Sequence, residues 1–164
     1  MIKKPNWKSQ QFENQKFDGF TLAPYMKTTE QNLLHKTTFV NCNIDEVHVR
    51  TIQSCKFKNC KLNTFYMRKG TIVDCEFEDC QLIDIGLLKG DIIKSNFTNC
   101  TFINFNLGIG CVKDSNFKDC QFQLDNEWMF QPISPIDRNN KLWHEGEWRT
   151  VTDWQEFLRL QTPN

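Results

Sequence analysis

Residues 55–74 read CKFKN CKLNT FYMRK GTIVD, and residues 75–94 read CEFED CQLID IGLLK GDIIK. From Cys55 to Leu124 the chain divides without a gap into fourteen such units, continuing SNFTN CTFIN FNLGI GCVKD SNFKD CQFQL. The third place of every unit is apolar, from Phe57 and Leu62 through Phe77, Leu82, Phe97 and Phe102 to Phe117 and Phe122. The first place is small, as Cys, Ser or Gly, at all but Phe65, Ile85 and Phe105. Neither a helical period of 3.6 nor the alternation of a strand produces a strict step of five.

A second period lies over the first, because each unit resembles the one four units later. Cys55, Cys75, Ser95 and Ser115 align, as do Cys60, Cys80, Cys100 and Cys120, and Gly70, Gly90 and Gly110. Self-similarity at a fixed step of about 20 residues is the signature of a solenoid. The pattern predicts a coil with four short faces, the first and third residue of each face pointing inward. A single such coil cannot hide its apolar residues, so stacked neighbours complete the core. Strand pairing sets equivalent residues about 4.8 Å apart up the stack. Phe57, Phe77, Phe97 and Phe117 then form one ladder, with Leu62, Leu82, Phe102 and Phe122 in the next.

In these units the chain resembles the pentapeptide-repeat family, whose pattern is a small residue, then Asp or Asn, then Leu or Phe, then two free places. The first and third places match closely, and the second matches at Asp91, Asn96, Asn106 and Asn116. The resemblance implies an all-β solenoid, a right-handed four-sided β-helix, here of about five to six coils. It implies no single activity, because the family has none in common.

Composition bounds the rest. The 164 residues suffice for one domain with a sizeable core. Twenty basic and twenty acidic side chains cancel, which argues against a general binder of nucleic acid or anionic membrane. No apolar run approaches 18 residues, and the start, MIKKPNWKSQQ, lacks a stretch of signal-peptide length. The expectation is a soluble, cytoplasmic protein. Six of the eight cysteines (55, 60, 75, 80, 100 and 120) hold the small inward place, Cys42 holds it one coil earlier, and Cys111 is outward. Free cysteine packs as a small hydrophobe, and Ser95 and Ser115 fill the same column without sulfur. Reduced core thiols are the first reading, ahead of disulfides or a metal, since stacked parallel side chains do not give the perpendicular torsion of an S–S bond. The repeat alone explains the C-x₄-C spacing, so no metal or cofactor is expected.

Before the regular units, Trp7, Phe12, Phe17 and Leu22 keep the five-residue step, and residues 5–24 are read as a degenerate first coil. Residues 25–36 break the step and read as an inserted loop with a helical turn at Glu30 to Leu34, either a recognition excursion or a flap folded over the first coil. Regular coils are expected over 37–124. The coil from Thr37 to Ser54 is two residues short, the loss placed on its third face at Val47 to Val49. In the next two coils Lys56 should lie over Glu76 and Lys58 over Glu78, pairs that contribute about 0.2–1 kcal/mol each and chiefly disfavour slipped stacking.

From Asp125 the step is lost, and residues 125–164 are read as a cap. KLWHEGEWRTV has the look of a hairpin turning at Glu145-Gly146, and residues 152–160 that of a short α-helix opened by Thr152 and Gln155 as a capping box. An open solenoid end needs a cover. Trp128, Trp143, Trp148 and Trp154 either serve that cover alone or also form a partner or self-association surface.

No catalytic constellation emerges. His35, His48 and His144 lie in three separate segments outside any Ser-His-Asp, Cys-His or HExxH arrangement, and phosphate-binding glycine motifs are absent. A non-catalytic protein-binding module is therefore expected, foremost a bacterial immunity or antitoxin-type protein that neutralises a toxin. The family resemblance offers an alternative, because some pentapeptide-repeat proteins mimic duplex DNA, bind DNA gyrase and pair through a carboxy-terminal helix. Those have strongly acidic surfaces, whereas residues 37–122 hold ten acidic and ten basic side chains. That balance disfavours competition for a basic DNA channel. A homodimer through the C-terminal segment is the remaining expectation for partners.

Overall fold

The computed structural model describes residues 11–17, 33–66, 70–86, 90–104, 111–123 and 140–151. These form nineteen short strands in three sheets, stacked as a four-sided β-solenoid. One sheet runs from Gln11–Glu13 through Thr38–Val40, Lys56–Lys58, Glu76–Glu78 and Asn96–Thr98 to Asn116–Lys118. A second holds Lys16–Phe17, Asn43–His48, Lys61–Tyr66, Gln81–Gly86, Thr101–Ile103 and Gln121–Gln123; its six-residue members turn a corner in mid-strand and so serve two faces. The third holds Leu33–His35, Thr51–Gln53, Thr71–Val73, Asp91–Ile93 and Val112–Lys113. Every pairing among these seventeen strands is parallel.

The register makes the core. Phe57 pairs with Phe77, Phe77 with Phe97 and Phe97 with Phe117, each one step of 20 residues. Their rings stack at 4.7, 4.8 and 5.0 Å, within 10° of parallel. The strand spacing itself sets these separations, which fall in the range where offset aromatic pairs attract. Phe39 and Phe12 extend the column downward at 5.0 and 5.3 Å. Ile44, Leu62, Leu82, Phe102 and Phe122 stack beside it, and Leu34, Ile52, Ile72, Ile92 and Val112 line the third sheet.

The corners depend on the fifth place of each unit. Asn59, Asp79, Asn99 and Asp119 all have φ between 51° and 55°, as do Asp74, Asp84, Asn104 and Asp114 within a few degrees. Asn and Asp tolerate this left-handed region better than other side chains. Each turn leaves its N–H free to donate to the coil above: Asn59 to the Glu78 carbonyl at 2.8 Å, Asp79 to Thr98 at 3.0 Å and Asn99 to Lys118 at 2.8 Å. Side chains bridge the same corners, Asn99 Nδ2 donating to Asp79 Oδ1 at 2.7 Å and Asn104 Nδ2 to Asp84 Oδ1 at 2.9 Å. The fifth place is thus constrained by the turn.

Two expectations about the ends are corrected. Leu33–His35 are strand, paired with Thr51–Gln53, and Leu34 is buried at an inward place in register with Ile52. The end of the expected loop is thus part of the third sheet, and Leu33 and Leu34 have no part in a helical turn. The short coil keeps Val47 and His48 in register with Phe65 and Tyr66, while Thr51 pairs with Thr71, so the two missing residues fall between His48 and Thr51, in the third face where the sequence count places them. Finally, Asn140–His144 return to the five-residue phase beyond Asp125: Lys141 pairs with Asn116 and Leu142 with Phe117. Residues 5–10, 18–32 and 152–160, with Trp128 and Trp154, lie outside the described residues. Among the described residues no helix is long and apolar enough to cross a membrane.

Candidate interaction surface

The first-place column ends in a polar ladder. Ser95 Oγ accepts the Cys75 N–H at 3.2 Å, Ser115 Oγ accepts the Ser95 N–H at 3.1 Å, and Asn140 Oδ1 accepts the Ser115 N–H at 2.9 Å. Asn140 also donates through Nδ2 to the Val112 carbonyl at 2.7 Å and is buried. The tail thereby satisfies backbone groups that the last coil would otherwise leave open. Asn140→Ala is expected to cost about 1–3 kcal/mol, read as a lowered midpoint in urea, because it strands a buried N–H and a carbonyl.

Leu142 is fully buried above Phe117, so the next outward place belongs to Trp143. The strand then reverses at Glu145 and Gly146, with φ of 51° and 85°, the positive pair demanded by a two-residue hairpin. Glu147–Val151 return antiparallel, and Trp148 pairs with Trp143. Their rings meet edge to face at 5.3 Å and 73°. Lys118, one rung below, places Nζ 5.0 Å from the Trp143 ring centroid. A cation over an indole face is held by the ring quadrupole. Trp148 is 45 % exposed, the one large apolar side chain so exposed among the described residues. Arg149 Nη2 lies 3.3 Å from Glu145 Oε2 across the turn.

Elsewhere the outward face is electrically quiet. Lys56 Nζ lies 2.7 Å from Glu76 Oε2 and Lys58 Nζ 3.0 Å from Glu78 Oε1, all more than half exposed. The neighbouring carboxylate raises each lysine's pKa, first through a hydrogen bond and then by charge. Lys58→Ala should shift the melting midpoint by no more than the ~0.2–1 kcal/mol of an exposed pair.

All eight cysteines are thiols, and seven are buried. Each thiol of the longer column donates to two carbonyls, as Cys80 Sγ does to Glu78 at 3.2 Å and Phe57 at 3.4 Å. The stacked Cys100 thiol, with burial, pushes Cys80 up to about 12, and the Cys120 thiol does the same to Cys100. Such groups are poor nucleophiles near neutral pH. Among the described residues no three His, Cys, Asp or Glu side chains could hold a metal ion.

Of the four tryptophans singled out from the sequence, two meet on this hairpin. Asn140 and Lys118 escaped sequence reasoning. The phase of NKLWH, in step with the repeat from Cys55, is the signal that points to Asn140.

No protein-family model matches the chain, and no curated protein does. Solved structures that resemble it include two of QnrB1, described as a plasmid-mediated fluoroquinolone resistance protein. A trypsin-treated variant is 11 % identical over 70 % of this chain, with a TM-score of 0.22, and the chain spans 49 % of its length. The full-length form is 9 % identical, with 93 % of this chain and 96 % of that one covered and a TM-score of 0.27. What decides the architecture is the register: faces advance by five residues and coils by 20, with small residues and Phe or Leu at the inward places. The fold is a four-sided parallel β-helix built of five-residue units. On the first sheet of this helix adjacent rungs are joined by paired charged groups, while among the described residues the large apolar side chain left exposed is Trp148 on the hairpin.

Proposed function

We propose that this β-helix is a non-catalytic protein-binding scaffold, and within that class a bacterial immunity or antitoxin-type protein that occludes a toxin in the cytoplasm. The observation that carries the reading is Trp148, 45 % exposed and held by Trp143 on a hairpin that is itself fixed to the solenoid by Leu142 and Asn140. Immobilised aromatic side chains on a rigid support lose little entropy on binding and dominate interface energies. The absence of a catalytic constellation in the sequence agrees with a scaffold.

The duplex-DNA mimic is the weaker reading. Lys56 and Lys58 neutralise Glu76 and Glu78 on adjacent rungs, which breaks the sustained negative potential that such mimicry needs. Excess protein is accordingly expected to leave gyrase supercoiling unchanged. The test of the main proposal is to express the product of the neighbouring gene alone and together with this chain. Toxicity alone, rescue on co-expression and a stoichiometric complex are expected; a harmless neighbour that does not bind overturns the toxin reading. Sedimentation of the purified chain tests the proposed C-terminal homodimer.

A further inference from the structure

The upper end of the first sheet carries a charge arrangement unlike that of its lower rungs. Lys56 and Lys58 each have a carboxylate opposite them one coil on. One and two coils higher, the equivalent outward places are Asn96 and Thr98, then Asn116 and Lys118, then Lys141 on the hairpin strand. None is acidic, and among the described residues no carboxylate pairs with Lys118 or Lys141. Pleating places Glu147 and Arg149 on the opposite side of their strand from Trp148, with Arg149 directed to Glu145. The outer side of the hairpin therefore presents two cations, Lys118 and Lys141, beside two indole rings.

We propose that this outer side of the hairpin, Lys118, Lys141, Trp143 and Trp148, is a docking surface for an acidic protein segment, one that presents carboxylates next to an apolar side chain. Charge complementarity selects the occupant. The two cations match carboxylates, and the exposed edge of the Trp148 ring covers an apolar neighbour, so the carboxylates are neutralised while apolar area is buried. A nucleic acid is the poorer fit, since two lysines on a chain of zero net charge release few counterions from a phosphate backbone. The inference rests on the protein-binding reading above and adds to it the surface and the partner's chemistry.

The test uses the intact chain and a fluorescently labelled peptide alternating glutamate and leucine, followed by anisotropy. Saturable binding is expected, weakened about tenfold or more by Lys118→Glu with Lys141→Glu, and likewise by Trp148→Ala. Lys61→Glu, an exposed charge reversal on another face, should leave binding unchanged. A lysine-leucine peptide and a thymidine oligomer are the comparison probes. Absence of binding, equal loss with Lys61→Glu, or tighter binding of the oligomer overturns the proposal. Circular dichroism confirms that each variant is folded; all four replaced positions are outward, so the inward ladder is untouched. A neighbouring toxin that binds equally well to the double lysine variant refutes this surface and leaves the toxin reading standing. A harmless neighbour beside normal peptide binding does the reverse.

Discussion

Phe77→Asp is expected to leave the chain unfolded at room temperature, with no cooperative melting transition by circular dichroism. Phe77 is buried and stacked between Phe57 and Phe97 at 4.7 and 4.8 Å. Its loss removes about 1.5–3 kcal/mol of apolar burial and two ring pairs of about 0.5–1.5 kcal/mol each. The carboxylate that replaces it sits in a core of Phe, Leu, Ile and Cys side chains and adds several kcal/mol more, as an unpaired buried charge. Together these exceed about 5 kcal/mol, against a whole-domain stability of about 5–15 kcal/mol. The position sharpens the effect, because a solenoid coil is held only by its two neighbours and a broken middle rung divides the stack. Phe77→Leu keeps the third place apolar and should melt cooperatively, lower by about 1–2 kcal/mol. An aspartate variant that melts like the parent would refute the inward assignment.

The same rung shows why much of this fold is legible in the sequence. A step of five with an apolar third place has few physical solutions, and the phase that puts Phe57 over Phe77 also puts Lys56 over Glu76. The strand at Leu33–His35 was hidden because Leu33 stands outward where a polar residue is normal, which masked Leu34 at the inward place. The lost pair of the short coil was legible by counting, because Val47 and Thr51 keep the phase of Phe65 and Thr71 on either side of it. The fifth place looked free, yet eight of the fourteen units carry Asn or Asp there, a bias that the left-handed turn explains. At the interaction surface, Trp143 and Trp148 were visible as residue types. Their company with Lys118 was not, because 25 positions separate Lys118 from Trp143 and only the pairing of Asn116 with Lys141 brings them together.

The thiol ladder predicts a second large effect, on the alkaline side. Cys80 and Cys100 are held up at about 12 in the folded chain by the thiol stacked on each and by burial. In the same column the Cys80 thiol raises Cys60 and burial raises Cys42; in the adjoining column the Cys55 thiol raises Cys75 while the Cys75 thiol lowers Cys55, so that pair works in opposite senses. In the unfolded chain each ionises near the ordinary value of about 8.5–9. Between these values the folded state keeps a proton that the unfolded state has lost. These thiols therefore leave stability unchanged below about pH 8 and lower it as the pH rises toward 12. Each such thiol costs about 1.4 kcal/mol per unit above its unfolded value, so Cys80 and Cys100 alone remove roughly 3 kcal/mol at pH 10. Urea titrations at pH 8 and pH 10 should show that loss in the parent. Cys80→Ser with Cys100→Ser should recover about 3 kcal/mol of it, because a hydroxyl does not titrate there and Ser95 and Ser115 already occupy the equivalent inward place of the adjoining column. If the double variant loses as much stability as the parent between the two pH values, the cysteines of this column are not buried as neutral thiols.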